Sequence, residues 1–237
     1  MSHVFQASDQ IGAIVSALPK AVEVFTRHKI DFCCGGQRPL SAAIADQGLE
    51  AETILTELDR AYSEAEQLKQ PGRDWRTAGL SDLIDHIVNT HHAYLNTTLP
   101  EISQLTTTIL RVHGANHKEL AKVHRLFHSL KLELEQHLIT EEEEVFPLVK
   151  QFEHSGSREA LDRAITKVEQ LESEHEGAGD ILKQLRQITE DYAVPPDGCG
   201  TFARTYSLLQ ELEGDLFRHI HLENNILHPR LREASRK

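Results

Sequence analysis

Two stretches of the chain pair a histidine with a glutamate one helical turn later and a proline six residues beyond it. They are His137-x3-Glu141-x5-Pro147 in HLITEEEEVFP and His219-x3-Glu223-x5-Pro229 in HIHLENNILHP. On an α-helix positions i and i+4 share one face, so each stretch offers an imidazole nitrogen and a carboxylate oxygen to the same point in space. Each such pair is half a metal site.

Helices must position these pairs, and four segments from residue 80 onward show helical periodicity, with breaks at Gly114, at 154–158 and at 193–200. In the second, Leu120, Val123, Phe127, Leu130, Leu134, His137, Glu141, Val145 and Leu148 form one seam at spacings of 3 and 4. The fourth repeats it with Phe202, Tyr206, Leu209, Leu212, Leu216, His219, Glu223, Leu227 and Leu231. In both, the histidine and glutamate occupy positions where the pattern calls for an apolar residue. The third seam turns His175 inward, and the first turns in either His91 or His92, which periodicity does not separate. Short connections predict an all-α, up-down-up-down four-helix bundle with these residues near one level.

An inward histidine or glutamate costs a few kcal/mol unless something pairs with it. A hydrogen-bonded polar layer would serve any one of them, but the set of the first-helix histidine, His137, Glu141, His175, His219 and Glu223 needs a common partner. Six ligands exceed one tetrahedral zinc, and two carboxylates from facing helices can each bridge a pair of ions. Imidazole and carboxylate without thiolate suit iron or manganese, and iron with an open position would take a small diatomic molecule. The spacing differs from the Glu-x-x-His of ferritin-like bundles. His86 falls off the first seam and reads as a group supporting a ligand or as a surface residue; His113, His117, His124, His128, His154, His221 and His228 read as peripheral or solvated, and Glu142–Glu144 as a solvated face. Glu133 and Glu174 flank the seam as candidate bases or proton carriers.

Residues 1–68 differ in character, with short helical stretches around 10–28, 39–47 and 51–67 about a DFCCGG loop. The sequence predicts a small helical domain there, a linker at 69–79 (KQPGRDWRTAG) and the bundle over 80–237. Cys33 and Cys34, beside Gly35 and Gly36, look like an exposed thiol loop able to reach a partner; Cys199, in a Pro/Gly-rich loop, looks incidental. Three cysteines, two adjacent, make a poor disulfide framework and point to a reducing cytoplasm. With 25 Lys and Arg against 37 Asp and Glu, the net charge of −12 disfavours nucleic acid as a partner. No apolar run approaches the ~18 residues of a membrane span, and MSHVFQASDQ lacks the form of a secretory signal.

DFCCGG at 31–36, IDHI at 84–87, both H-x3-E-x5-P motifs and LESEHEGAG at 171–179 resemble the repair-of-iron-centres family, also called YtfE or ScdA, over nearly the whole chain. The resemblance implies a small ScdA-type N-terminal domain and a hemerythrin-like bundle with an oxo-bridged, non-haem di-iron centre. It carries the ligands onto His92, His137, Glu141, His175, His219 and Glu223, with both glutamates bridging, and an ungapped run from IDHI to Leu99–Glu101 selects His92 over His91. It implies repair of iron–sulfur clusters damaged by nitrosative or oxidative stress, through iron delivery or reduction of nitric oxide. Damaged iron–sulfur proteins and nitric oxide would be the partners, with Cys33 and Cys34 as candidates for thiol transfer and a homodimer as one form of assembly. Hemerythrin-like binding or sensing of oxygen or nitric oxide is the alternative. It is weakened because similar oxygen carriers have a histidine where this chain has Gly179. A structural or zinc-binding bundle is the third reading.

Overall fold

The computed structural model describes residues 3–68 and 73–237, and positions 69–72 of the expected linker lie outside them. Among the described residues the ordered elements are helical, apart from one isolated bridge between Gln10 and Pro39. The chain divides into two compact units, Met1–Leu83 with Phe217–Lys237, and Ile84–Leu216.

In the first unit, α1 (Ile11–Ala17), α2 (Ala21–Arg27), α3 (Leu40–Asp46) and α4 (Ala51–Leu68) gather a core of their own. Ile11, Ile14, Phe25, Phe32, Leu40, Ile54 and Leu58 are buried in it. The sequence pattern places these helices to within a few residues. Gly48, just past α3, takes a φ of 62°, the left-handed conformation that ends a helix and that glycine adopts without strain. The described part of the expected linker is fastened within this unit. Arg230 of α11 (His228–Ser235) donates to the carbonyls of Trp75 and Ala78 at 3.0 and 2.7 Å, and the Arg73 guanidinium lies 5.1 Å from the Trp75 ring centre.

The second unit is a four-helix bundle. After α5 (Leu80–Ile87), which begins in the first unit, come α6 (Ala93–His113), α7 (Leu120–Thr140) continued by α8 (Phe146–Ser155), α9 (Arg158–Ile188), and α10 (Gly200–Leu222) as far as Leu216. The connections at 114–119, 156–157 and 189–199 are short, so successive helices run antiparallel. The breaks fall where the glycine, proline and serine residues predict them. Phe127, Leu130, Leu161, Val168, Leu185, Phe202, Leu209 and Leu212 fill the interior along the expected seams. Where α9 ends, Glu190, Asp191 and Tyr192 all take positive φ. Arg186 holds this turn, pairing with Glu213 and lying 3.7 Å from Asp191, while Tyr192 is buried.

Among the described residues three helices widen into a π turn, at Val88–His92, Glu141–Val145 and Glu223–Leu227. Pro147 and Pro229 each stand two residues past one of these turns. A proline has no N–H for the carbonyl four residues back, and its ring crowds that carbonyl. The regular ladder is therefore interrupted just upstream of each proline, where a widened turn can be inserted, and such turns often mark functional sites.

The core assignment is open to direct measurement. Phe127→Ala should destabilise the metal-free protein by about 3–5 kcal/mol in urea unfolding, whereas Leu132→Ala, on the exposed side of the same helix, should stay within about 0.5 kcal/mol. Equal losses would show that the α7 seam is wrongly placed.

Candidate metal centre

Each π turn carries a candidate ligand at one end: His92 is the last residue of the first, while Glu141 and Glu223 open the second and third. The two glutamate side chains are completely enclosed, at 0 % exposure.

In the four-helix unit, Glu141 sits between two imidazoles. Its Oε2 is 3.3 Å from His92 Nε2 and its Oε1 is 3.3 Å from His137 Nε2. His175, from the middle of α9, brings its Nε2 within 3.0 Å of His137 Nε2. One ligand atom each of His137, Glu141 and His175 thus lie within 4.8 Å of one another. Two ring nitrogens facing each other beside a carboxylate oxygen are arranged to direct lone pairs at a shared cation. In the unit that contains residues 217–237, His219 Nε2 lies 3.1 Å from Glu223 Oε1, as expected for i and i+4.

The second nitrogen of two of these rings is also engaged. His92 Nδ1 lies 2.8 Å from Glu142 Oε1, and His137 Nδ1 lies 2.6 Å from Glu174 Oε2. A carboxylate at Nδ1 places the proton there, leaves the Nε2 lone pair directed at the site, and raises its basicity. The His92 ring also stacks on Phe146, 5.8 Å between centres and 22° from parallel, which fixes its orientation. Glu174 is among the sequence candidates. Glu142, expected on a solvated face, is not, because on a regular α-helix the residue after a ligand points about 100° away from it.

Other expectations need correction. Glu133 is exposed and accepts a hydrogen bond from Ser129 of its own helix. His91, which periodicity leaves open beside His92, is buried with its Nδ1 held by Asp215 at 3.0 Å, while His92 faces Glu141. His221 and His228, expected at the periphery, are both buried; burial pushes His221 down to about 4, so it is neutral at pH 7.

The thiol loop also differs from the exposed segment that the sequence predicts. Asp31 Oδ1 accepts the backbone N–H groups of Cys33, Cys34 and Gly35, each at 3.1 Å, and Asn225 Nδ2 donates to the carbonyls of Phe32 and Cys33 at 3.1 and 3.0 Å. A Cβ on Gly36 would fall 2.2 Å from Asn225 Oδ1 and one on Gly12 would fall 2.4 Å from it. Glycine therefore serves close approach here. Cys33 is buried, and the neighbouring Cys34 thiol together with burial holds its pKa well above the ordinary thiol range; Cys34 is partly exposed. Asn225 stands two residues after Glu223, in the same π turn, so the loop is packed directly against the segment that carries a candidate ligand.

The donor set fits non-haem iron. It consists of buried imidazole nitrogens and carboxylate oxygens, and His137, Glu141 and His175 form the two-histidine, one-carboxylate group that suits non-haem iron.

Residues 83–231 match the hemerythrin HHE cation-binding domain, and residues 7–62 match ScdA_N, a domain of unknown function. Proteins named iron-sulfur cluster repair protein YtfE from Citrobacter koseri and from Escherichia coli O157:H7 are each 36 % identical to this chain over 224 residues, covering 93 % of it and 94 % of the relative. The corresponding protein of Shigella boydii serotype 4 is 35 % identical over the same span. Two enclosed His–Glu pairs whose glutamates open π turns, a cation-binding domain spanning both and an N-terminal ScdA_N domain all lead to one assignment: the chain belongs to the YtfE family of iron–sulfur cluster repair proteins.

Proposed function

We propose that the protein holds two non-haem iron ions with His92, His137, Glu141, His175, His219 and Glu223, and uses them to restore iron–sulfur clusters damaged by nitrosative or oxidative stress. The observation that carries this reading is the pair of fully enclosed carboxylates, Glu141 and Glu223, each preceded by a histidine one turn earlier. A buried anion without compensating charge costs several kcal/mol, and two dications held beside them would balance both. The single cation-binding match over 83–231 supports placing both pairs in one centre.

When bound, the irons would supply an open coordination position for a small ligand and a store of metal for a damaged cluster. The chain's own residues set the conditions. Glu142 and Glu174 fix the tautomer of His92 and His137 and strengthen their Nε2 donors. The leucines and phenylalanines of the four seams keep bulk water from the carboxylates. Cys34, the more exposed of the loop thiols, is the group placed to meet a partner protein, while Cys33 is held in the core. The relatives' name supports damaged iron–sulfur proteins as the partners, with iron delivery or nitric oxide reduction as the chemistry. Among the described residues no helix is long and apolar enough to cross a membrane, and we place the protein in the cytoplasm.

Iron analysis should give two ions per chain. Glu141→Ala, Glu223→Ala and His92→Ala should lose iron, while Glu143→Ala and His91→Ala should keep it. Glu142→Gln and Glu174→Gln should weaken iron binding by about 10–100-fold. Zinc as the main metal, or equal iron content across the series, would overturn the ligand set. Function is tested by mixing the iron-loaded protein with an iron–sulfur enzyme inactivated by nitric oxide. The native protein should restore activity and Glu223→Ala should not, while Cys34→Ala should keep its iron and restore less. Equal recovery without any iron protein would refute the repair role.

A further inference from the structure

At the end of the four-helix unit where α6 finishes and α10 begins, two histidines that read as peripheral meet the cysteine that reads as incidental. Cys199 is exposed and immediately precedes α10. Its carbonyl accepts the first helical hydrogen bond, from Ala203 N at 3.0 Å, and its sulfur accepts the backbone N–H groups of Phe202 and Thr201. It therefore occupies the capping position at the positive end of a 23-residue helix. Across from it, His113 of α6, 86 residues away in sequence, brings Nε2 to 3.2 Å from the sulfur.

The neighbouring groups hold this pair in place. The His113 and His117 rings both stand edge-on against Phe202, 5.4 and 5.5 Å between centres, and Phe202 is fully buried. His117 Nε2 is bound to Asp197 at 3.0 Å and its Nδ1 to Glu119 at 3.0 Å, which ties down the loop two residues before the cysteine. The Asp197 contact raises His117 above the usual imidazole range, and His117 in turn lowers Asp197. Their charges thus compensate one another, and the sulfur is left facing N–H dipoles and an imidazole. Gly198 closes a turn onto Pro195 O at 2.8 Å, and a Cβ there would fall 2.7 Å from Val194 Cγ1, so glycine lets the loop fold tightly just before the cysteine.

We propose that Cys199, paired with His113 and capped by the first turn of α10, is a nucleophilic modification site that forms mixed disulfides with small disulfide compounds. The thiolate sulfur attacks one sulfur of RS–SR. A Cys199–S–S–R bond forms as the S–S bond of the reagent breaks, and the bonding pair leaves with the second sulfur as RS⁻, which takes a proton from water. The Cys199 sulfur is oxidised and the departing sulfur is reduced, so the small disulfide is the only oxidant required; an excess of RSH reverses the step. The Phe202 N–H, with His113 adding to it, brings the thiol down to about 7. An attacking thiol is fastest when its pKa lies near the ambient pH, because a lower value costs nucleophilicity and a higher one costs thiolate. Cys33, enclosed and pushed the opposite way, is the internal contrast.

The full-length protein is treated with 4,4′-dithiodipyridine over a range of pH, and the modified cysteine is located by peptide mass mapping. The fastest phase should map to Cys199, with a rate midpoint near 7, and should vanish in Cys199→Ser. His113→Gln, with helicity unchanged, should move the midpoint toward the ordinary thiol value of about 8.5 and slow the reaction several-fold at neutral pH. A fastest phase on Cys34, a midpoint at the ordinary thiol value in the native protein, or an unmoved midpoint in His113→Gln would each overturn the proposal. Iron content and cluster repair are separate readouts, so failure here leaves the di-iron reading standing.

Discussion

Two carboxylates shut away from water constrain everything around them. Glu141 and Glu223 are wholly enclosed, at positions where the surrounding seams would otherwise supply leucine. Enclosing an anion costs several kcal/mol unless charge or hydrogen bonds compensate it, and removing one partner of a buried pair is worse than never forming it. The imidazoles one turn earlier, the carboxylate behind His137 and the widened helical turns all follow from that requirement. The proline in each motif belongs to the same device: by removing one backbone donor it interrupts the regular helix beside the glutamate.

Much of this is legible in the residues. The i, i+4 pairing of His137 with Glu141 and His219 with Glu223 needs only helical geometry, and the inward register of His175 follows from Leu171 and Leu182 on the same face of α9. The four long helices and the short N-terminal ones are readable because glycine and proline mark their ends. The choice between His91 and His92 is not readable from periodicity, since adjacent residues at the edge of a seam are equivalent by period. In the structure His91 turns to Asp215 and His92 to Glu141.

What escapes the sequence depends on tertiary contacts. A π turn at Val88–His92 carries no proline to announce it. Glu142 is hidden because α-helical spacing sends it away from the face of Glu141. Gly35 and Gly36 suggest a free loop when only local freedom is considered, yet Gly36 is required by an asparagine far along the chain, Asn225, whose amide oxygen leaves no room for a Cβ. His221 and His228 look peripheral because their burial comes from packing that periodicity does not encode. Cys199 looks incidental because its partner His113 lies on another helix.

The most direct test of the central claim is iron K-edge X-ray absorption on the iron-loaded protein. If the enclosed histidines and glutamates hold two irons together, as proposed, the first shell should be nitrogen and oxygen alone, with an iron–iron scattering path. Sulfur in the first shell, or isolated irons with no iron neighbour, would contradict a centre built on Glu141 and Glu223 and would shift attention to the thiols of Cys33 and Cys34.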